Sequence, residues 1–137
     1  MMPAAELALR LEIAALNQRY CHAADRGDGE AWAACYAEDG VFDRYGGETQ
    51  GREALRRVVR SSASVKRRHY FFDPIVELTS ETEARGAGYG QLVAFDVGTQ
   101  TWAPTVYVDY TDTYRLTPEG WRIARREIRR SFGESPT

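Results

Sequence analysis

Between Ala5 and Asp25 the apolar residues Leu9, Ile13, Leu16, Tyr20 and Ala23/Ala24 recur at helical spacing, while Glu6, Arg10, Glu12, Gln18 and Arg19 fall largely elsewhere on the wheel. This pattern predicts a long amphipathic helix that stops at Gly27. The segment Asp28 to Tyr36 reads as a short second helix, capped by Asp28 and carrying Trp32 and Tyr36 on one face, so the two helices form a hairpin. Glu38-Asp39-Gly40 then reads as a turn, Val41 to Tyr45 as a strand that Gly46-Gly47 ends, and Arg52 to about Ser62 as a third helix.

Beyond that helix the period changes to two. Strands are predicted over Arg67 to Leu78, Glu83 to Asp96, Thr101 to Leu116 and Gly120 to Phe132. Helices first and strands later argue for an α+β fold with an antiparallel sheet. Alternation puts Trp102, Pro104, Val106, Val108, Tyr110, Asp112, Tyr114 and Leu116 on one side of their strand, apolar except for Asp112. Ala84, Gly86, Gly88 and Gly90 share a side of another, which calls for a sharp bend or the close approach of another group.

At 137 residues the chain suits one domain around one core, about 5–132, with 133–137 as a flexible tail. The net charge of -2 gives no general attraction to nucleic acid or anionic membrane. Arginine clusters at Arg52 to Arg60, Lys66 to Arg68 and Arg122 to Arg130 could form a phosphate-binding surface, but Glu and apolar residues interrupt them and no nucleic-acid motif accompanies them. Cys21 and Cys35, fourteen positions apart, have neither a metal spacing nor a disulfide framework and read as buried thiols. With no long apolar run and no basic, hydrophobic leader, the expectation is a cytoplasmic protein.

Several residues look misplaced for purely structural roles. His69 lies in the aromatic stretch Arg68-His69-Tyr70-Phe71-Phe72-Asp73-Pro74, where a buried imidazole needs a hydrogen-bonding partner. Asp25 faces the negative end of the first helix dipole, where nothing local favours a carboxylate, and it is a candidate for that partner. The alternative is that Asp25, Arg26 and Asp28 form an ordinary polar helix end. Asp112 is a second misplaced acid, and Tyr20, Tyr45, Tyr89 and Tyr110 are possible hydroxyl donors. His22 sits mid-helix with no evident task. The chain has no phosphate loop, nucleophile elbow, His-Glu-x-x-His or paired Cys-x-x-Cys, so neither a metal nor a nucleotide cofactor is expected. An enzyme built from these residues would work by acid–base chemistry alone.

Taken in order, Tyr20-Cys21-His22-Ala23-Ala24-Asp25-Arg26-Gly27-Asp28, Tyr36-Ala37-Glu38-Asp39-Gly40-Val41-Phe42, Gly51-Arg52-Glu53-Ala54-Leu55, Arg68-His69, Tyr110-Thr111-Asp112 and Gly120 to Arg126 resemble SnoaL-like proteins of the nuclear-transport-factor-2-like superfamily. That superfamily includes scytalone dehydratase, bile acid dehydratase, hexachlorocyclohexane dehydrochlorinase, ketosteroid isomerase and polyketide cyclases. The resemblance implies a cone: a strongly curved antiparallel sheet closed by the N-terminal helices around an apolar pocket. It implies Tyr20, Asp25 and His69 as a catalytic group facing one another there, with Arg126 near the site. Tyr45, Tyr110, Asp112, Arg126 and Trp102 would contact substrate, with a pairing of Arg126 to Asp112 as the alternative for those two. No residue supplies the second pocket histidine of scytalone dehydratase, and the carboxylate base of ketosteroid isomerases is matched less well. The expectation is a cofactor-independent lyase of dehydratase type, or an isomerase or cyclase, acting on a cyclic, largely apolar molecule as a homodimer. The rival is a non-catalytic binding protein or dimeric scaffold of the same fold.

Overall fold

The computed structural model describes residues 2–133, and the tail expected over 133–137 lies, beyond Gly133, outside them. Helix α1 (Ala4–Arg26) buries Leu9, Ile13, Leu16, Tyr20 and Ala23 on one stripe, as the periodicity requires. It ends in a Schellman turn: Gly27 adopts φ 68°, its N–H donates to the Ala24 carbonyl, and the Asp28 N–H donates to that of Ala23. Helix α2 (Gly29–Ala33) is capped by Asp28, whose carboxylate accepts from the Ala31 N–H at 3.0 Å. It stops short of Tyr36. That residue instead opens β1 (Tyr36–Arg44), where the Arg52 guanidinium binds its carbonyl and its ring is fully buried.

The turn expected at 38–40 is therefore an irregularity within β1, where pairing with the last strand shifts between Tyr36 and Val41. Gly46-Gly47 does not end the region either. Tyr45 (φ 55°) and Gly46 (φ 91°) form the two-residue turn of a hairpin that leads into β2 (Gly47–Gln50), a strand the sequence pattern does not reveal. Helix α3 (Arg52–Leu55) is a single turn rather than a helix to Ser62. The following loop, 56–64, is drawn against the first helical hairpin: a Cβ on Gly27 would sit 2.1 Å from the Ser61 nitrogen.

Pro74 lacks an N–H and cuts the next predicted strand into β3 (Val65–Phe71) and β4 (Ile75–Leu78). Strand β5 (Glu83–Asp96) has its expected ends. Pro104 separates a short β6 (Thr101–Trp102) from β7 (Val106–Thr117), and β8 (Gly120–Arg130) is the last strand. The sheet order is β2-β1-β8-β7-β5-β3, with β4 and β6 also on β5. Pairing is antiparallel everywhere except β1 against β8, which run parallel, so the curled sheet is mixed.

Helix α1 packs on the inner face, against β3, β4 and β8. The glycine face of β5 explains how that face is filled. A Cβ on Gly88 would lie 2.7 Å from the Tyr110 ring, and one on Gly90 would lie 2.5 Å from the Phe71 ring. Phe71 and Tyr110, stacked with centroids 4.8 Å apart, occupy the space that side chains on β5 would need. Burying a large apolar side chain in full contributes about 1.5–3 kcal/mol by leaving water. Among the described residues no helix is long and apolar enough to cross a membrane.

Candidate active site

Between α1, the β1–β2 turn, the 56–64 loop and the inner face of the sheet lies a cavity of about 480 Å³. Strand register builds one wall: His69 pairs with Leu92, Leu92 pairs with Val106, and all three line the cavity. Trp32, Phe42, Phe71 and Ile128 extend the apolar surface. Its volume lies within the range of about 300–1,000 Å³ usual for small-molecule sites.

Asp25, next to last in α1, meets His69 in the middle of β3. Its Oδ1 accepts from the His69 backbone N–H at 2.9 Å and lies 2.7 Å from the ring Nδ1. Both side chains are mostly buried, His69 with 15% and Asp25 with 13% of the side chain exposed. The carboxylate that opposes the helix dipole is thus held by the strand it orients. In the tautomer that donates Nδ1–H to Asp25, Nε2 is the free ring nitrogen, and it has no protein hydrogen bond among the described residues.

Tyr20 and Tyr45 line the same cavity. Burial raises the Tyr20 hydroxyl above its ordinary pKa, against the opposing pull of Arg126, so it stays a neutral donor. Among the described residues Tyr45 is one of two non-glycine residues with positive φ, and that conformation places it at the rim. The turn is braced from behind. Asp43 accepts from the Gly46 N–H at 2.9 Å and from Arg129 at 3.0 Å, and it pairs with Arg125 at 2.8 Å. The Arg129 hydrogen bond, opposed by burial, leaves Asp43 below the usual carboxylate range.

The other expected contacts lie elsewhere. Tyr110 is 1% exposed and outside the cavity lining, its hydroxyl spent on the Phe72 carbonyl at 2.5 Å. Asp112 and Arg126 are 1% and 0% exposed, also behind the wall. They are cross-strand neighbours joined by two hydrogen bonds of 2.9 Å each. Arg126 also donates to Asn17 at 2.6 Å, and Tyr114 donates to Asp112 at 2.6 Å. The guanidinium lies 4.4, 5.0 and 5.3 Å from the ring centroids of Tyr20, Tyr110 and Phe71. Burial disfavours its charge, but Asp112 more than restores it and holds Arg126 well above the usual arginine range. This pair lies beneath Tyr20, behind the cavity wall. Trp102 is 65% exposed and packs on Phe95 outside the cavity, because the break at Pro104 takes it off the face it would otherwise share with Val106.

The sequence pattern did not single out Asn17, Tyr114 or Arg44, and it offered Arg60 and Arg67 only as members of arginine clusters. Asn17 had a signal, a polar residue on the buried stripe of α1. Tyr89 is 68% exposed, and His22 lines a separate groove with Arg19 and Arg122. Burial raises the Cys21 thiol to about 11 and raises Cys35 as well, so neither is a nucleophile near neutral pH. Among the described residues no three His, Cys, Asp or Glu side chains gather to hold a metal ion.

The chain matches the model of the SnoaL-like domain over residues 5–127. Among solved structures it is similar to a variant of Rv3472, a protein of unknown function from Mycobacterium tuberculosis. Identity is 31%, the TM-score 0.79, and the match covers 96% of this chain and 77% of that one. It is also similar to a protein of Novosphingobium aromaticivorans proposed to be a scytalone dehydratase, with 20% identity, a TM-score of 0.85, and 99% and 93% coverage. A hexachlorocyclohexane dehydrochlorinase (LinA) of type 2 matches with 18% identity, a TM-score of 0.79, and 97% and 92% coverage. No curated protein sequence matches the chain.

Proposed function

From a chain that belongs to the SnoaL-like domain family, we propose a cofactor-independent lyase of dehydratase type, or an isomerase or cyclase, acting on a cyclic, largely apolar small molecule. The observation that carries this reading is the 2.7 Å contact between Asp25 and His69 at the edge of an apolar cavity. His69 Nε2 takes a proton from carbon next to a carbonyl or similar group. The electron pair left behind forms a double bond as a leaving group departs from the adjacent carbon, and the imidazolium returns its proton to that group. Asp25 stabilises the imidazolium, and Tyr20, with Tyr45 at the rim, donates a hydrogen bond to the substrate oxygen that gains charge. The aromatic and aliphatic walls favour a ring-shaped, apolar substrate.

The test is incubation with a panel of cyclic β-hydroxy ketones in D2O, followed by NMR. Deuterium entering at the carbon next to the carbonyl, with or without loss of water, is expected for at least one compound. Binding throughout the panel with no exchange and no elimination would sink the acid–base reading in favour of a binding protein with the same cavity.

Homodimerisation belongs to the same proposal. On the outer face of the sheet Gln91 pairs with both Tyr70 and Tyr107, and Tyr70, Tyr89, Trp102 and Tyr107 are 51, 68, 65 and 57% exposed. An aromatic surface of this extent suits a second copy of the chain. Sedimentation equilibrium at micromolar concentration should give twice the monomer mass, reduced to the monomer by Tyr89→Glu. A wild type that is monomeric throughout overturns this.

A further inference from the structure

The acid–base scheme leaves three arginines at the cavity unused. Arg44 at the end of β1, Arg60 in the 56–64 loop and Arg67 in β3 all line it. None has a carboxylate within ion-pair distance among the described residues. Arg125, by contrast, pairs with Asp43 and Glu48, and Arg129 with Asp43 and Glu127. Three unpaired guanidiniums around one opening are a local excess of positive charge on a chain whose net charge is -2.

Beside the cavity is a smaller recess of about 200 Å³ that shares Ala24, Arg60, Ser61, Ser62 and Arg67 with it. The recess adds Arg26 and Lys66, so four cationic residues and one carboxylate, Asp25, line it; Lys66 Nζ donates to the Ser62 carbonyl at 3.2 Å, Arg60 Nε donates to the Arg57 carbonyl at 3.3 Å, and Asp25 Oδ1 is engaged by His69. The larger space is walled mainly by apolar and aromatic groups, and the smaller by cations and serines. A ligand that fills both has an apolar ring at one end and a negative charge at the other.

We propose that this recess is a subsite for an anionic substituent, a carboxylate or a phosphate, on the molecule whose ring occupies the main cavity. The inference rests on the cavity being a small-molecule site, but not on the chemistry of His69. Guanidinium groups match the paired oxygens of either anion, and an anion fixed here would determine which carbon of the ring faces Nε2. The arginines are exposed, so their effect weakens as salt rises.

The test is calorimetric titration with 2-naphthoate, 2-naphthyl phosphate and the neutral 2-naphthamide, at low salt and at 0.5 M salt. At least one anion should bind ten-fold or more tightly than the amide. That preference should shrink at high salt and fall toward parity in the Arg60→Gln, Arg67→Gln double variant. Whichever anion is favoured identifies the group. Equal binding of all three probes, or a preference that survives in the double variant, overturns the subsite. Failure of every probe to bind overturns it together with the cavity reading. The same titrations on His69→Asn separate the two ideas: an intact anion preference there supports the subsite even if turnover proves independent of His69.

Discussion

His69→Asn is expected to lower turnover of any substrate of this site by on the order of 100-fold or more while leaving the melting temperature within a few degrees of the wild type. The choice of Asn follows from the geometry. Asp25 holds the ring through Nδ1 and the strand through the backbone N–H, and an Asn side chain can present its own N–H near the Nδ1 position. The substitution removes Nε2 without orphaning the buried carboxylate, whereas His69→Ala would do both. Asp25→Asn complements it. The neutral amide still has an oxygen for the His69 backbone N–H but no longer stabilises the imidazolium, so a similar loss of turnover is expected with the fold retained. Turnover and circular dichroism on both variants check the pair. Full activity in His69→Asn would exclude the base, and loss of folding in both variants would make the pair structural.

The sequence already held the two ends of that contact, because each residue is out of place locally. Asp25 opposes the dipole of the helix it terminates, and His69 interrupts an aromatic strand; tertiary structure resolves both anomalies in one hydrogen bond. The glycine face of β5 was likewise legible as a close approach, although only the fold shows that Phe71 and Tyr110 are what approach. Trp102 was misplaced because alternation was carried through Pro104, where the strand breaks and the register resets. The β1–β2 hairpin escaped notice because its first turn residue is Tyr45, and a tyrosine at positive φ has no signature in propensity. Helix propensity through Val58 and Val59 was overruled by contacts of the following loop with Gly27 and Gly29, which lie far away in sequence. That override brings Arg60 to the cavity. The arginine clusters were visible from composition, but their meeting with Arg44 and an apolar pocket is a property of the fold.

Asp112→Ala should be among the most destabilising single substitutions outside the aromatic core, costing about 3–5 kcal/mol. It would leave the guanidinium of Arg126, which is 0% exposed, without its counter-charge and the Tyr114 hydroxyl without its acceptor. Asn17 would remain as a neutral partner, and the three ring faces would lose little, but neither replaces a bidentate carboxylate. For a chain of this length such a loss corresponds to a fall in Tm of about 10 °C or more. A control separates the value of the pair from the cost of breaking it. In the double variant Asp112→Leu, Arg126→Met both charges are gone and much of the volume remains, so stability should recover to within about 1–2 kcal/mol of the wild type. Thermal and urea unfolding of both variants measure this. A double variant as unstable as Asp112→Ala would mean that the pair, together with the Tyr114 and Asn17 hydrogen bonds it anchors, holds β7 to β8, rather than the avoidance of a lone buried charge. Because Arg126 lies under Tyr20, the recovered double variant also reports on the site. If it folds but turns over more slowly, the buried cation positions the Tyr20 hydroxyl; if turnover is unchanged, its role is confined to the core.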